Sequence, residues 1–517
     1  TDGKCQAPSP TDGVKNGDES DVDCGGAAAD KCDDEKACAR REDCKNDICH
    51  QGVCKLLVCD DQLKNGTETD VDCGGSGCPR CEDLKACAAA DDCLSGVCAD
   101  TGSGLQCQVP SPTDGVKNGT ETDVDCGGAA TNPRCETGKG CEAHGDCTSD
   151  GCTYDKKCAL RRSCTGKEGG DTCGLGGTGG RGPAQWESCC ATGPVGAVQM
   201  DKYQVTAGRM RAFLERVKGN VRQVVRDARA AGALHGAVMP ESFDLFLPTS
   251  MEGCDQTGTC DASEIVDSFF GGGGAFQGIY TSAYRHVGGS IFVGQGPTQQ
   301  GCSVSSPGTH TYWMPPEVQA SYFGDAPHEH PQAVYDAKAL NCVDYLVAQA
   351  FCVWEGGRLE TQGEFAAAGG SANYNGDVGR PPPWGSPLPK GQGSDTYFGA
   401  RFPTVDDAAL GLGGGLSVEW ANYLYSYESP NLVSTDYVVF IAAPGRHKYR
   451  GPQGHADLVG NMMEVTNDVN GLTGDPRTTA TRWTANGSWE GHQWGFYGWN
   501  FSLVNKYGKQ GLRCVYP

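Results

Sequence analysis

Three short stretches of the chain gather oxygen-bearing side chains at close spacing. Asp12, Asn16, Glu19, Asp21 and Asp23 form the first. Asp61, Asn65, Glu68, Asp70 and Asp72 form the second, and Asp114, Asn118, Glu121, Asp123 and Asp125 the third. Oxygen ligands at near-alternate positions, with glycines that permit tight turns, suit calcium, a hard cation that takes about six to eight oxygens and tolerates irregular loops. Calcium is therefore the expected cofactor. The spacing is not that of an EF-hand, and no flanking helices are evident. The same residues also serve as plain turn formers in a solvated acidic loop, where Asn-Gly and Asp settle the backbone without an ion.

These stretches belong to repeats of roughly fifty residues. Lys15-Asn16-Gly17-Asp18-Glu19-Ser20-Asp21-Val22-Asp23-Cys24-Gly25-Gly26 recurs from Lys64 to Gly75 and from Lys117 to Gly128. Five further cysteines follow each signature. The aligned sets are Cys24, Cys32, Cys38, Cys44, Cys49 and Cys54; Cys73, Cys81, Cys87, Cys93, Cys98 and Cys107; Cys126, Cys135, Cys141, Cys147, Cys152 and Cys158. Six per set predicts three disulfides per repeat, with connectivity open. Cys59 and Cys78 occur only in the second repeat and are expected to pair. Cys5 is left over. Its context, Cys5-Gln6-Ala7-Pro8-Ser9-Pro10, matches Cys107-Gln108-Val109-Pro110-Ser111-Pro112, so Cys5 reads as the last cysteine of a repeat and a candidate for an intermolecular bond. The pattern resembles Cys-rich acidic repeats of secreted and surface proteins of bacteria, and loosely the calcium-wrapped repeats of thrombospondin type.

Composition fits this picture. The chain has 517 residues, a net charge of -23, 31 cysteines and 77 glycines. Residues 1–158 hold 21 of the cysteines and few large apolar residues, so cross-links or metals must supply the stability that a hydrophobic core cannot. The acidic balance argues against nucleic-acid binding. No apolar run is long enough to span a membrane. Disulfides imply an oxidising compartment. The chain starts at Thr1 without a charged-then-apolar leader, so a mature secreted protein is expected, its signal peptide removed.

The elements that follow are sparser. The expected domains are Cys-rich repeats over 1–58, 59–107 and 108–163, a Gly-rich linker over 164–185, and a globular domain over 186–517 with an insertion at about 250–330. Thr206 caps a predicted helix with Met210, Phe213 and Leu214 on one face. A second helix is predicted from Asp344 to Trp354. The remainder is short and punctuated by Gly and Pro, so an α+β domain of low regular structure is expected.

Four motifs in this half carry a family resemblance. They are Asp201-Lys202-Tyr203-Gln204-Val205-Thr206, the stretch from Cys342 through Cys352 and Trp354 to Gly357-Arg358-Leu359, Gly460-Asn461-Met462-Met463-Glu464-Val465-Thr466, and Gly511-Leu512-Arg513-Cys514. In that order they resemble the formylglycine-generating-enzyme (sulfatase-modifying factor) family, whose fold is a variant of the C-type lectin fold. The resemblance implies a Cys352–Cys514 bridge from helix to C-terminus. It also implies calcium sites at Asn422 with Asp436 and at Asn461 with Glu464; Asn461 otherwise serves as a turn cap. Cys342 cannot reach Cys352, because a helix between them places their Cα atoms on the order of 15 Å apart. The family's enzymes bind copper(I) through two C-terminal cysteines, the soft ligands that ion requires. No cysteine lies between Cys352 and Cys514 here. His328 and His330 sit between prolines and read as a loop. Trp489, His492, Trp494, Tyr497 and Trp499 are a candidate ligand face for carbohydrate or protein, or else core-filling aromatics.

The sequence thus predicts a secreted, non-catalytic binding or structural protein. Calcium- and disulfide-stabilised repeats form a stalk presenting a lectin-like domain, with other protein chains, including further copies, or a surface glycan as partners. The alternatives are a subunit of an extracellular filament and a formylglycine-type oxidase with displaced catalytic residues.

Overall fold

A computed structural model describes residues 6–55, 59–60, 62, 64–174, 186–252, 282–287, 310–318, 331–369, 441, 443–445, 451–458, 461–471, 481–485, 497–503 and 510–517. The chain divides into two compact units. One is Thr1–Cys135 with Gly140–Glu142; the other is Glu136–Lys139 with Ala143–Pro517. The architecture is mixed, with short helices, small sheets, few regular elements and many disulfides.

In the first unit, sulfur takes the place of an apolar core. The buried cluster of repeat 1 consists of Cys24, Cys32, Cys38, Cys44 and Cys54, and that of repeat 2 of Cys73, Cys81, Cys87, Cys93 and Cys107. The connectivity is first to second, third to fifth and fourth to sixth: Cys24–Cys32, Cys38–Cys49 and Cys44–Cys54, then Cys73–Cys81, Cys87–Cys98 and Cys93–Cys107. In the third repeat Cys126–Cys135 follows the same order and Cys141 is also disulfide-bonded; Cys147–Cys158, again in that order, and the disulfide-bonded Cys152 belong to the second unit. Cys59 is joined to Cys78. Among the described residues the strands of the first unit form two hairpins, β1 (Cys49–His50) with β2 (Val53–Cys54) and β3 (Cys98–Asp100) with β4 (Leu105–Cys107).

The Cys-Gly-Gly ending of each signature has a steric cause. Gly26, Gly75 and Gly128 lie at φ +75°, +70° and +78°. A Cβ on them would fall 2.3, 1.9 and 1.7 Å from the carbonyl oxygens of Asp18, Thr67 and Thr120. Only glycine fits where the chain turns back on itself this closely.

The second unit is built on two four-stranded sheets. One has the order β5 (Thr192–Val195), β6 (Val198–Asp201), β12 (Cys514–Tyr516), β7 (Arg358–Leu359), all antiparallel. The other runs β10 (Tyr497–Ser502), β9 (Thr481–Ala485), β8 (Met463–Asn470), β11 (Gln510–Gly511), with β11 parallel to β8. The helices are α1 (Ala207–Arg216), α2 (Val221–Ala230), α3 (Ala283–His286), α4 (Gln332–Asp336), α5 (Tyr345–Trp354) and α6 (Gln362–Ala368). Thr206 Oγ1 caps α1 by accepting from Arg209 N, and Asp344 caps α5 by accepting from Val347 N. Every residue of α5 is buried, as expected for a helix apolar on nearly all sides. Phe351 of α5 packs edge-on against Phe213 of α1, with centroids 5.7 Å apart. The Cys352–Cys514 disulfide ties α5 to β12 across 162 residues. Cys342 is in a disulfide of its own.

The last part of the third repeat is built into this second unit. Glu355, buried at the end of α5, accepts hydrogen bonds from Ser163 N and Ser163 Oγ, each 3.0 Å. The Arg161 guanidinium lies 3.5 Å above the Tyr516 ring, and Asp150 pairs with Arg216 at 3.0 Å. Residues 164–174 are packed as well: Cys164–Cys190 and Cys173–Cys189 staple them, and Thr206 Oγ1 donates to the Gly169 carbonyl at 2.6 Å.

A truncation beginning at residue 186 therefore strips Ser163 from Glu355 and Arg209, whereas one beginning at 136 keeps them. Thermal melts should show a single cooperative transition for 136–517 and a lower midpoint or insolubility for 186–517. Equal midpoints would contradict the shared architecture.

Candidate functional sites

The repeat loops use most of the expected oxygen ligands as acceptors for turn amides. In repeat 1, Asp12 accepts from Ser9 N at 3.1 Å, Val14 N at 3.0 Å and Asn16 Nδ2 at 2.9 Å. Asp23 accepts from Gly13 N at 2.9 Å, and Glu19 from Asn16 N at 3.2 Å. Repeat 3 repeats the geometry: Asp114 accepts from Ser111 N, Val116 N and Asn118 Nδ2, Asp125 from Gly115 N and Glu121 from Asn118 N. In repeat 2, Asp72 accepts from Gln62 N and Glu68 from Asn65 N; Asp61 lies outside the described residues.

The fourth ligand of each set faces a different segment. Asp21 accepts from Ala37 N at 2.7 Å, Asp70 from Ala86 N at 2.6 Å and Asp123 from Gly140 N. The Ala37 amide holds the Asp21 carboxyl below its usual range, and the Ala86 amide does the same for Asp70. Asp12 is held low chiefly by Asn16.

Three oxygens of these loops have no such use. Asn16 Oδ1, Glu19 Oε1 and Asn118 Oδ1 are buried and accept no hydrogen bond. Buried polar atoms are normally satisfied, so orphans at equivalent positions require an explanation. The donor set there is oxygen only, and fits a hard cation rather than a soft one.

One acidic residue per repeat escaped the sequence reading. Asp43, Asp92 and Asp146 each precede the fourth cysteine of their set and are buried. Asp92 accepts from Gly75 N at 2.8 Å, Ala88 N at 2.8 Å and Ala89 N at 3.0 Å. Asp43 accepts from Gly26 N at 2.9 Å, Ala39 N at 2.9 Å and Arg40 N at 3.1 Å. Asp146 accepts from Ala143 N at 2.9 Å. Asp43 and Asp92 thus connect the second glycine of the signature to a 3-10 turn (Arg41–Asp43, Ala90–Asp92). The Ala88 and Gly75 amides lower the Asp92 carboxyl against the opposing effect of burial. The signal in the sequence was the recurring Asp-Cys pair.

In the α+β unit, Asn461 and Glu464 are brought together through Gln204. Asn461 Nδ2 donates to Gln204 Oε1, and Gln204 Nε2 donates to Glu464 Oε1, both at 2.9 Å. Glu464 is gripped in bidentate fashion by Arg513, Nε to Oε2 at 3.0 Å and Nη2 to Oε1 at 2.8 Å. Glu360, also fully buried, stands beside this pair with Arg513 Nε at 3.9 Å. Burial and the neighbouring Glu464 push the Glu360 carboxyl well above its usual range. Glu464 stays ionised against burial because Arg513 stabilises its charge. A second buried guanidinium, Arg209, pairs with Asp201 at 2.9 Å and Glu355 at 3.3 Å. In both centres one buried guanidinium faces two buried carboxylates, and Asp201 Oδ1 and both Glu360 oxygens are buried without a hydrogen-bond partner.

Asn422, Asp436, His328, His330, Trp489, His492, Trp494 and Cys5 lie outside the described residues. Tyr497 and Trp499 lie in β10. The chain matches no family model and no curated protein.

Asp92→Asn should lower the local stability of repeat 2 by about 1–3 kcal/mol, the cost of leaving buried amides poorly paired. Because the folded carboxyl titrates below the unfolded value of about 3.9, its contribution is full above that pH and fades as pH falls through the lower folded value. Hydrogen exchange of residues 73–107 against pH should show this acid-side loss in the wild type and a flattened profile in the variant.

Proposed function

We propose that this is an extracellular binding or structural protein in which calcium- and disulfide-stabilised acidic repeats carry a lectin-like α+β domain. The disulfide content and the absence of any membrane-spanning helix among the described residues are compatible with an extracellular location. The reading takes the domain as formylglycine-generating-enzyme-like in fold and non-catalytic in function. Two features support that. The chain has no cysteine between Cys352 and Cys514, and those two are bonded to each other, so they offer no thiolate to copper(I). The partners on this reading are other protein chains, further copies of this chain included, or a surface glycan. Assembly of such copies into an extracellular filament is the second reading.

The observation that carries calcium is the set of orphaned oxygens, Asn16 Oδ1 and Glu19 Oε1 in repeat 1 and Asn118 Oδ1 in repeat 3. Each of the two asparagines has a carboxylate at hand: Asp12 beside Asn16, Asp114 beside Asn118. A bound cation would satisfy these oxygens without displacing the amide hydrogen bonds, since a carboxylate oxygen has a second lone pair to offer.

Calorimetric titration of the chelator-stripped protein with calcium tests this. Saturable binding, together with slower exchange of amides 12–23 and 114–125, is expected, and Asn118→Ala with Asn16→Ala should lower the stoichiometry and remove the slowing at those amides. No heat and no change in exchange would refute the calcium assignment.

A further inference from the structure

The junction between repeats 2 and 3 is a small and specific contact. Asn118 Nδ2 donates to the Ser95 carbonyl at 2.8 Å. Val116 is partly buried against Gly96, where a Cβ would stand 3.2 Å from Val116 Cγ1. Ser95-Gly96 is the turn after the fourth cysteine of repeat 2, and Gly96 lies at φ +70°. Repeat 3 therefore seats on repeat 2 through one valine, one asparagine and a turn with a bare backbone.

Repeat 1 has the same face ready-made. Val14 and Asn16 occupy the positions of Val116 and Asn118 in the aligned signatures. The scaffolding beneath them is the same, down to the amides of Ser9, Gly13 and Val14 on Asp12 and Asp23, which match those of Ser111, Gly115 and Val116 on Asp114 and Asp125. The approach segment is also matched. A side-chain carbon on Gly17 would lie 3.4 Å from Pro8 Cβ, and one on Gly119 2.9 Å from Pro110 Cβ. The difference is coverage: Val14 is 59% exposed.

We propose that the Val14–Asn16 face is a docking surface for another six-cysteine repeat of this kind. That repeat stands in tandem ahead of it, reached through the Cys5–Pro10 segment, and offers a Ser-Gly-type turn after its fourth cysteine. The tandem arrangement follows from the matching approach segments. In the sequence, 5–10 matches at five of six positions the 107–112 stretch that leads from repeat 2 into repeat 3. The apolar contact is small, so specificity comes from the asparagine amide on a carbonyl and from the glycine that lets the valine approach. The proposal does not depend on calcium.

The test uses the whole chain in two arms. In the first, Val116→Asp is compared with Val14→Asp by limited proteolysis of the 108–113 segment. Val116→Asp should accelerate cleavage there, and Val14→Asp should leave it at the wild-type rate. An unchanged rate in Val116→Asp would show that the valine and asparagine do not form a junction, and the proposal falls. In the second arm, residues 57–106 are duplicated ahead of Cys5 and hydroxyl-radical labelling of Val14 is followed by mass spectrometry. The labelling rate of Val14 should fall to that of Val116, and Val14→Asp in the extended chain should abolish the added protection of the neighbouring amides. Val14 labelled as fast as in the parent chain, with all added cysteines oxidised, overturns the proposal. The extended chain is refolded in a thiol–disulfide exchange buffer until all added cysteines are oxidised before labelling is read. Loss of Val14 labelling with rising concentration of the unextended chain would assign the face to a separate copy and overturn the tandem arrangement.

Discussion

The repeats exist as folded objects because sulfur is buried in place of carbon. With almost no large apolar side chains available, the buried interiors of repeats 1 and 2 are clusters of half-cystines. Cross-links of this kind act largely by restricting the unfolded chain, and three within about fifty residues restrict it severely. The rest of each repeat answers to that constraint. Because the two cysteines around the signature are only eight or nine residues apart, the chain must reverse tightly after Cys24, Cys73 and Cys126. The glycine pairs make that reversal possible. The buried aspartate before the fourth cysteine then holds amides that the reversal leaves without strand or helix partners. Acidity in these repeats is first of all an answer to unpaired backbone donors.

The α+β unit follows a different logic, with a true apolar core around α1, α2 and α5. Two arginines are nonetheless fully buried in it. Arg513 and Arg209 each face two carboxylates, and each takes part in joining segments distant in sequence: Arg513 links β8 to the C-terminal strand region, and Arg209 links α1 to the end of α5 and to Ser163. Removing one partner from such a set leaves a buried charge uncompensated, so these centres fix which segments must meet. The Ser163–Glu355–Arg209 contacts explain why the second compact unit begins within the third repeat rather than after the Gly-rich passage.

Much of this was legible in the chain. Self-similarity exposed the repeats and their six-cysteine sets, and counting isolated Cys59 and Cys78 as the two extra members of repeat 2. Apolar spacing, with Thr206 as a cap for the first, located α1 and α5; that Asp344 is the cap of α5 rather than its first residue is seen only in the structure. Other features were not legible, for physical reasons. Disulfide connectivity depends on which cysteines the turns bring within reach, and sequence spacing does not determine that. The role of Asp43 and Asp92 depends on where Gly26 and Gly75 point their amides, a tertiary fact. The incorporation of 143–174 into the α+β unit rests on single long-range contacts, such as Ser163 to Glu355, that leave no periodic trace. Asn461 and Glu464 were singled out through a resemblance, and only the fold reveals that Gln204 and Arg513 stand between them and beside them.

The central claim is that disulfides are the core of the repeats while the α+β unit rests on apolar packing. Hydrogen exchange measured by mass spectrometry before and after full reduction, with the freed thiols alkylated, addresses it directly. Reduction should erase protection throughout residues 6–135 while α5 and its apolar neighbours retain theirs, though less strongly without the Cys352–Cys514 bond. Repeats that keep their protection once every cysteine is reduced and alkylated would contradict the account.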